Sequence, residues 1–130
     1  MDERDRFEKG MAVRRAVLGD AHVDRAQNNR NEFNDEFQAL ITRYAWGEIW
    51  SRPGLARNTR SLITIALMVA LNRSDELQMH LRAAFRNGVP RDEIKEVLLQ
   101  TAIYCGVPAA NSAFHLAEQV LSELEHKPEP

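Results

Sequence analysis

Apolar residues recur at helical spacing along this chain of 130 residues, and no segment shows the sustained alternation of a half-buried strand. The clearest stripe follows the positions i, i+4, i+7, i+8 and i+11, at Phe33, Phe37, Leu40, Ile41 and Tyr44. Because this period governs most of the sequence, we predict an all-α fold, with roughly two-thirds or more of the residues in helices against a usual third.

Glycine and proline residues divide the pattern into about six predicted helices. We place them at about residues 3–18, 31–46, 58–71, 74–87, 90–105 and 109–125. Gly47 is expected to end the second helix, and the third, which is apolar nearly all round, to be the central and most buried one. Residues 20–31 predict a loop with about one helical turn, 48–55 a connector and 127–130 a tail. The length predicts a single domain over residues 1–130.

The charge balance and the lone cysteine exclude several classes of protein. Lys and Arg number 17 against 19 Asp and Glu, so the formal charge is -2, whereas a dedicated nucleic-acid binder is normally basic. The longest apolar run, residues 62–71 apart from Thr64, is too short to cross a bilayer, and the acidic first nine residues do not resemble a signal peptide. Cys105 has no partner for an internal disulfide and is expected to be a small buried residue. We therefore expect a cytoplasmic protein without a nucleic-acid or membrane partner.

The sequence carries no pattern for a metal or a nucleotide cofactor. The four histidines lack the HxxxH spacing of zinc sites, and the chain contains neither a GxGxxG motif nor a P-loop. We therefore expect no metal and no cofactor.

His80 lies on the apolar side of the fourth predicted helix, three residues after Leu77 and four before Ala84. A histidine in such a position is most often a satisfied core or interface residue. It is also the side chain best suited to exchange a proton, because its ordinary pKa is about 6.5. The residues alone leave both interpretations open and favour the first.

Glu48 lies between two tryptophans, Trp46 and Trp50, in the segment WGEIW. If the rings closed over its carboxylate, burial would raise its pKa and make it a usable acid or base near neutral pH. Alternatively, the rings anchor a core or an interface and Glu48 points to water, which is the more common arrangement.

Two further clusters suggest anion binding. Arg52, Arg57 and Arg60 gather at the start of the third predicted helix, where the helix dipole disfavours cations, so a carboxylate of the protein or of a ligand is expected nearby. Asn111 and His115 lie one turn apart near the start of the last helix, where free N–H groups could hold an anion. Asn111 is equally well explained as a capping residue.

Five blocks, in this order and spacing, resemble the carboxymuconolactone decarboxylase family. They are VLGDAHVDRA at 17–26, YAWGEIWSRPGL at 44–55, TRSLITIALMVAL at 59–71, ELQMHLRAAFRNGV at 76–89 and EIKEVLLQTAIYCGVPAAN at 93–111. The resemblance implies a helical bundle similar to alkylhydroperoxidase D, assembled into a ring-like homo-oligomer, often a hexamer. Related peroxidases carry CxxC followed by a histidine three residues later. Here Ser74 and Leu77 replace both cysteines, which excludes that thiol chemistry, while His80 keeps the histidine position.

The activity implied by the resemblance is loss of CO2 from 4-carboxymuconolactone, giving β-ketoadipate enol-lactone in protocatechuate catabolism. No cofactor is needed, because the electrons left by CO2 flow through the ring double bond into the lactone carbonyl. The protein must hold a dicarboxylate lactone, stabilise the charge on the carbonyl oxygen and protonate a ring carbon.

Site residues follow from this chemistry and from motif position. His80 is expected to donate the proton or to stabilise the oxyanion, and Glu48 to set its tautomer or share the proton relay. Arg60, and less strongly Arg73, are expected to bind a substrate carboxylate. The expected pocket-shaping residues are Trp46, Trp50, Tyr104 and Asn111. Two alternatives remain open: an enzyme of the same fold with another substrate or with peroxidase-related chemistry, and a helical oligomer without activity.

Overall fold

The computed structural model describes residues 1–126, so the predicted tail at 127–130 lies outside the described residues. Within that range all regular structure is helical, which confirms the all-α prediction. The helices are α1 (Glu3–Leu18), α2 (Asp20–Asn28), α3 (Asp35–Ile41), a π-helix (Thr42–Trp50), α4 (Arg57–Ala70), α5 (Ser74–Arg86), α6 (Arg91–Tyr104) and α7 (Val107–His126).

Helix α1 begins and ends where the sequence predicts. The Asp2 carboxylate accepts a hydrogen bond from the backbone N–H of Asp5 at 2.8 Å and caps the first turn. At the other end Gly19 has a φ of 91°, a conformation that a residue with a side chain rarely adopts, and its N–H donates to the carbonyl of Arg15.

The predicted loop at 20–31 is wrong, because Asp20–Asn28 form helix α2. This segment has only one buried residue, Val23, so its sequence lacks a strong apolar stripe. Ion pairs join it to α1, from Arg15 to Asp20 at 3.1 Å and to Asp24 at 2.9 Å. The residues of α2 alone do not reveal these ion pairs, because the arginine that forms them belongs to α1.

The second predicted helix begins later and continues further than the sequence suggests. The Asn31 side chain accepts hydrogen bonds from the N–H groups of Phe33 and Asn34, which makes a turn before α3 starts at Asp35. The helix does not end at Gly47 but runs through it in the wider π form to Trp50. The apolar stripe of this region is largely exposed, with Phe33 98% and Phe37 59% accessible.

The chain divides into two compact units: the first is Met1–Arg57 and the second begins at Asn58. In the first unit α1 packs along the π-helix so closely that side chains are excluded at the contact. A Cβ atom on Gly10 would lie 1.9 Å from the carbonyl oxygen of Thr42, and one on Gly47 would lie 2.3 Å from that of Arg6. The expected single domain over residues 1–130 stays a prediction.

In the second unit α7 packs against α5 and α6 around an apolar core. The buried core residues are Ile65, Val69, Leu77, Leu81, Ala84, Val89, Ile94, Leu98, Ala113, Ala117 and Val120. Helices α5, α6 and α7 contribute most of this core.

The prediction that the third helix is the most buried is wrong. In the corresponding helix, α4, only Ser61, Ile65 and Val69 are buried. Its other face is apolar but open, with Ile63 44% and Leu67 50% exposed. No helix within residues 1–126 combines the length and the apolar character needed to cross a bilayer.

Candidate active site

His80 occupies the buried side of α5, as its position in the sequence predicts. It is 8% exposed, and its helical neighbours Leu77, Leu81 and Ala84 are all core residues. An imidazole at such a place is shielded from bulk water but keeps two ring nitrogens that can donate or accept a proton.

Trp46 and Trp50 stack one turn apart on the π-helix, with ring centroids 4.9 Å apart and planes tilted by 32°. Trp46 is buried, whereas Trp50 is partly exposed. The rings do not enclose Glu48, whose side chain is 44% exposed. The structure therefore has the second of the two arrangements considered for this segment, in which the tryptophans are anchors.

Glu48 is held by an arginine that the sequence analysis did not identify. Arg6 of α1 donates from Nε to a Glu48 carboxylate oxygen at 3.1 Å, and this hydrogen bond raises the pKa of Arg6 above its usual range. The same guanidinium pairs with Glu3 and lies over the Tyr44 ring, 5.3 Å from its centroid. Tyr44 donates to Glu3 at 2.8 Å, so an aromatic ring and several charges form one network on the first unit.

The two arginines predicted to bind substrate differ in burial. Arg60 is half-buried on α4, and its backbone carbonyl accepts a hydrogen bond from the Thr64 hydroxyl at 2.8 Å. Arg73 is exposed and is the N-cap residue of α5. Its backbone N–H donates to the carbonyl of Met68 and its carbonyl accepts from the N–H of Leu77, which fixes the start of the helix that carries His80.

Tyr104 and Asn111 are both exposed residues of the second unit. Tyr104, 82% exposed, lines a groove of about 390 Å³ between α4 and α6, together with Leu62, Ile63, Ala66, Leu67, Ala70, Val97, Gln100, Thr101 and Cys105. Asn111 lies in the second turn of α7 and exposes its side chain. The groove is lined almost entirely by apolar groups, so it suits an apolar surface better than a doubly charged acid.

The structure also buries an arginine that the sequence analysis did not identify, Arg14 of α1. It is 5% exposed and donates to the Thr42 hydroxyl at 3.3 Å and to the Gln38 side-chain oxygen at 3.2 Å. Both acceptors are neutral, which distinguishes this arginine from Arg6.

The predicted residues are distributed over both units. Trp46, Glu48 and Trp50 belong to the first, whereas Arg60, Arg73, His80, Tyr104 and Asn111 belong to the second. The expected partnership of Glu48 with His80 stays a prediction. Within residues 1–126 no three His, Cys, Asp or Glu side chains are grouped so that they could hold a metal ion.

Comparison with known sequences identifies the family. The sequence model described as "Carboxymuconolactone decarboxylase family" matches residues 35–119. A 4-carboxymuconolactone decarboxylase from Acinetobacter baylyi is 54% identical over 129 residues, which cover 99% of this chain and 96% of the relative. This chain belongs to the carboxymuconolactone decarboxylase family. The family resemblance predicted from the sequence is confirmed.

Other members of the family show how its named activities vary. A nitrosuccinic acid decarboxylase from Metarhizium robertsii is 40% identical over 123 residues, or 95% of this chain and 86% of the relative. A 4-carboxymuconolactone decarboxylase sequence from Pseudomonas putida is 62% identical over 48 residues, which are 37% of this chain and all of that sequence. The part matched by the family model includes every predicted site residue and leaves out Arg14.

Proposed function

We propose that this protein is a 4-carboxymuconolactone decarboxylase, a carboxy-lyase that releases CO2 and forms β-ketoadipate enol-lactone in protocatechuate catabolism. The observation that carries the proposal is the identity of 54% with a decarboxylase of that name over nearly the whole of both chains. A match of this extent includes α1 to α7 and the π-helix, so it covers both units.

The substrate supplies the electron sink for this reaction. The bond between a ring carbon and its carboxylate breaks, and the electron pair moves through the ring double bond into the lactone carbonyl, giving a dienolate. A proton then adds to the ring carbon beside the carbonyl, and the remaining double bond becomes that of the enol-lactone. The protein has to bind the acid, stabilise the oxyanion and supply one proton.

In this proposal His80 donates the proton to the ring carbon. An imidazole is the side chain whose ordinary pKa best suits proton transfer near neutral pH, and burial on α5 separates it from bulk water. Arg60, half-buried on α4, binds a substrate carboxylate, and Arg73 at the start of α5 is the weaker candidate for the same role.

Glu48 enters the proposal as a carboxylate held by Arg6 rather than as a desolvated acid. In this state it can accept a hydrogen bond from an imidazole N–H and so set its tautomer, as the sequence analysis proposed. Trp46, Trp50, Tyr104 and Asn111 are proposed to shape the binding pocket.

The relatives suggest what the substrate class shares. Nitrosuccinic acid and 4-carboxymuconolactone, the compounds in two relatives' names, both contain a succinate unit whose departing carboxylate sits on the carbon joined to an electron sink. The sink is a nitro group in one and an unsaturated lactone in the other. This shared unit makes nitrosuccinate the most informative competing substrate.

The test measures CO2 release from 4-carboxymuconolactone and from nitrosuccinate by the purified protein. We expect the lactone to be the better substrate by kcat/KM. His80→Ala should lower kcat by about 100-fold or more, as expected for loss of a general acid. His126→Ala, which changes an exposed histidine at the end of α7, should retain wild-type rates. Absence of CO2 release from the lactone would refute the activity, and an unchanged kcat in His80→Ala would refute the proton donor.

We further propose that the protein acts in the cytoplasm as a ring-like homo-oligomer, with a homohexamer as the expected form. The apolar, open face of α4 and the end of α6 support self-association, since Leu67, Leu71, Ile103 and Tyr104 are 50%, 62%, 80% and 82% exposed. Sedimentation velocity of the wild type and of Leu67→Lys tests this proposal. A monomeric wild type would contradict it, and a smaller assembly in Leu67→Lys would support it.

A further inference from the structure

Arg14 is an unusual arginine because its charge is buried without an acid beside it. It is 5% exposed in the first unit, and the two side chains that accept its hydrogen bonds, the Thr42 hydroxyl and the Gln38 amide oxygen, carry no charge. Among residues 1–126 its Nε–H has no acceptor. Buried guanidinium groups are normally paired with carboxylates, because removing an unpaired charge from water is costly.

The neighbouring arginines of the first unit are matched with acids. Arg6 pairs with Glu48, Arg15 with Asp20, and Arg30 with Asp35. Each of these three arginines is more accessible to water than Arg14, so the most buried of the four charges has no carboxylate partner among the described residues.

The charges near Arg14 add to its own. Burial, followed by the positive charges of Arg30 and Arg15, lowers the pKa of Arg14 from its usual value. An arginine nevertheless stays protonated at neutral pH. The result is a positive potential inside the first unit that an anion would relieve.

We propose that Arg14 binds the carboxylate that the substrate keeps, the CH2–COO⁻ group of its succinate unit. This inference rests on the proposed decarboxylase activity. The Nε–H and one Nη2–H point in parallel and can donate to the two oxygens of one carboxylate. Within residues 1–126 the Nε–H donates to no acceptor. The half-buried Gln38 side chain, which occupies Nη2 at 3.2 Å, is the group that the carboxylate displaces.

The retained carboxylate is the right one for this site on energetic grounds. The departing carboxylate loses its negative charge as CO2 forms, so a cation bound to it would stabilise the ground state more than the transition state. The retained carboxylate keeps its charge throughout the reaction. A guanidinium bound to it contributes equally to substrate and transition-state binding, which lowers KM without changing kcat.

Steady-state kinetics of Arg14→Gln and Arg14→Lys test the proposal. We expect Arg14→Gln to raise KM for 4-carboxymuconolactone by about 10- to 100-fold, the range for loss of a hydrogen bond to a charged group, with kcat within about threefold of the wild type. Arg14→Lys keeps the positive charge but lacks the two parallel N–H donors, so its KM should lie between those of the wild type and Arg14→Gln. A loss of kcat at unchanged KM, or an unchanged KM, would overturn the proposal.

The matched control is Arg4→Gln on the same helix. The Arg4 side chain is 87% exposed and pairs only with Glu8 one turn away, so its loss should leave KM and kcat unchanged. If Arg4→Gln raised KM as much as Arg14→Gln, a general effect of net charge would explain both and the proposed site would be wrong.

A binding measurement on the wild type keeps the proposal testable if Arg14→Gln fails to fold or if the lactone is not the substrate. Succinate is the probe, because it reproduces the shared unit and cannot react in the same way. We expect the Arg14 Nε–H signal, identified by its absence in Arg14→Lys spectra, to shift as succinate is added. The signals of Arg4 and Arg15 should stay in place, and an unmoved Arg14 signal would refute carboxylate binding.

Discussion

The two units of this protein are stabilised in different ways. The second has a core of branched aliphatic side chains from α4, α5, α6 and α7. The first brings α1 against the π-helix at two glycines and adds arginine–carboxylate pairs around that contact. Apolar packing tolerates adjustment of side chains, whereas a backbone contact between glycines does not.

The two units also differ in where they place charged and titratable side chains. The first unit places charged groups, Arg6, Glu48 and Arg14, beside a close helix contact that fixes the backbone on which they stand. The second unit places a single buried imidazole, His80, in a mainly apolar setting. The first unit therefore concentrates paired and buried charges, whereas the second surrounds one imidazole with apolar residues.

The largest expected effect comes from the core of the second unit. Leu81→Ala removes a side chain that is fully buried, and such truncations lower the free energy of unfolding by about 3 kcal/mol. Leu99→Ala, on α6 with 48% exposure, is the matched control and should cost less than about 1 kcal/mol. Urea unfolding followed by circular dichroism measures both, and equal losses would show that the described core does not dominate this unit.

A smaller effect is expected from the glycine contact of the first unit. In Gly10→Ala the new methyl group would collide with the Thr42 carbonyl, and such overpacking costs about 2 kcal/mol. Gly54→Ala is the control, because nothing lies within 4 Å of a Cβ there. Both tryptophans, Trp46 and Trp50, are in the first unit, so their fluorescence during unfolding reports on it. Unchanged fluorescence midpoints in Gly10→Ala would contradict the close contact.

Local signals were sufficient to predict much of the fold. Helix α1 was predicted at its observed bounds, and α4 to α7 begin and end within about two residues of their predicted limits, because glycine and proline act on the backbone where they stand. The π-helix and α2 were not predicted. Their form depends on partners elsewhere in the chain, such as Gly10 against Gly47 and Arg15 against Asp20.

The same distinction applies to the site residues. The inward position of His80 follows from the helical period of its own segment. The partner of Glu48 is 42 positions away, at Arg6, and no pattern within either segment connects them. Arg14 did leave a signal, since the buried positions of α1 are Gly10, Val13, Arg14, Val17 and Leu18, at i, i+3, i+4, i+7 and i+8. Phe7 and Met11, two larger apolar residues of the same helix, are only partly buried.

The smallest expected effect has the opposite sign and separates structural from functional roles for Arg14. If Arg14 binds a ligand carboxylate, its buried charge is unpaired in the ligand-free protein and destabilises it. Arg14→Met removes that charge and should therefore raise the free energy of unfolding by about 1 kcal/mol. The Thr42 hydroxyl would keep its hydrogen bond to the Gln38 carbonyl, and the half-buried Gln38 amide could turn to water. Thermal unfolding without added anions measures the change, with Arg4→Met as the exposed control on the same helix. A marked loss of stability in Arg14→Met would instead show that the buried charge serves the packing of α1 against the π-helix, and a site selected for substrate would not be needed to explain it.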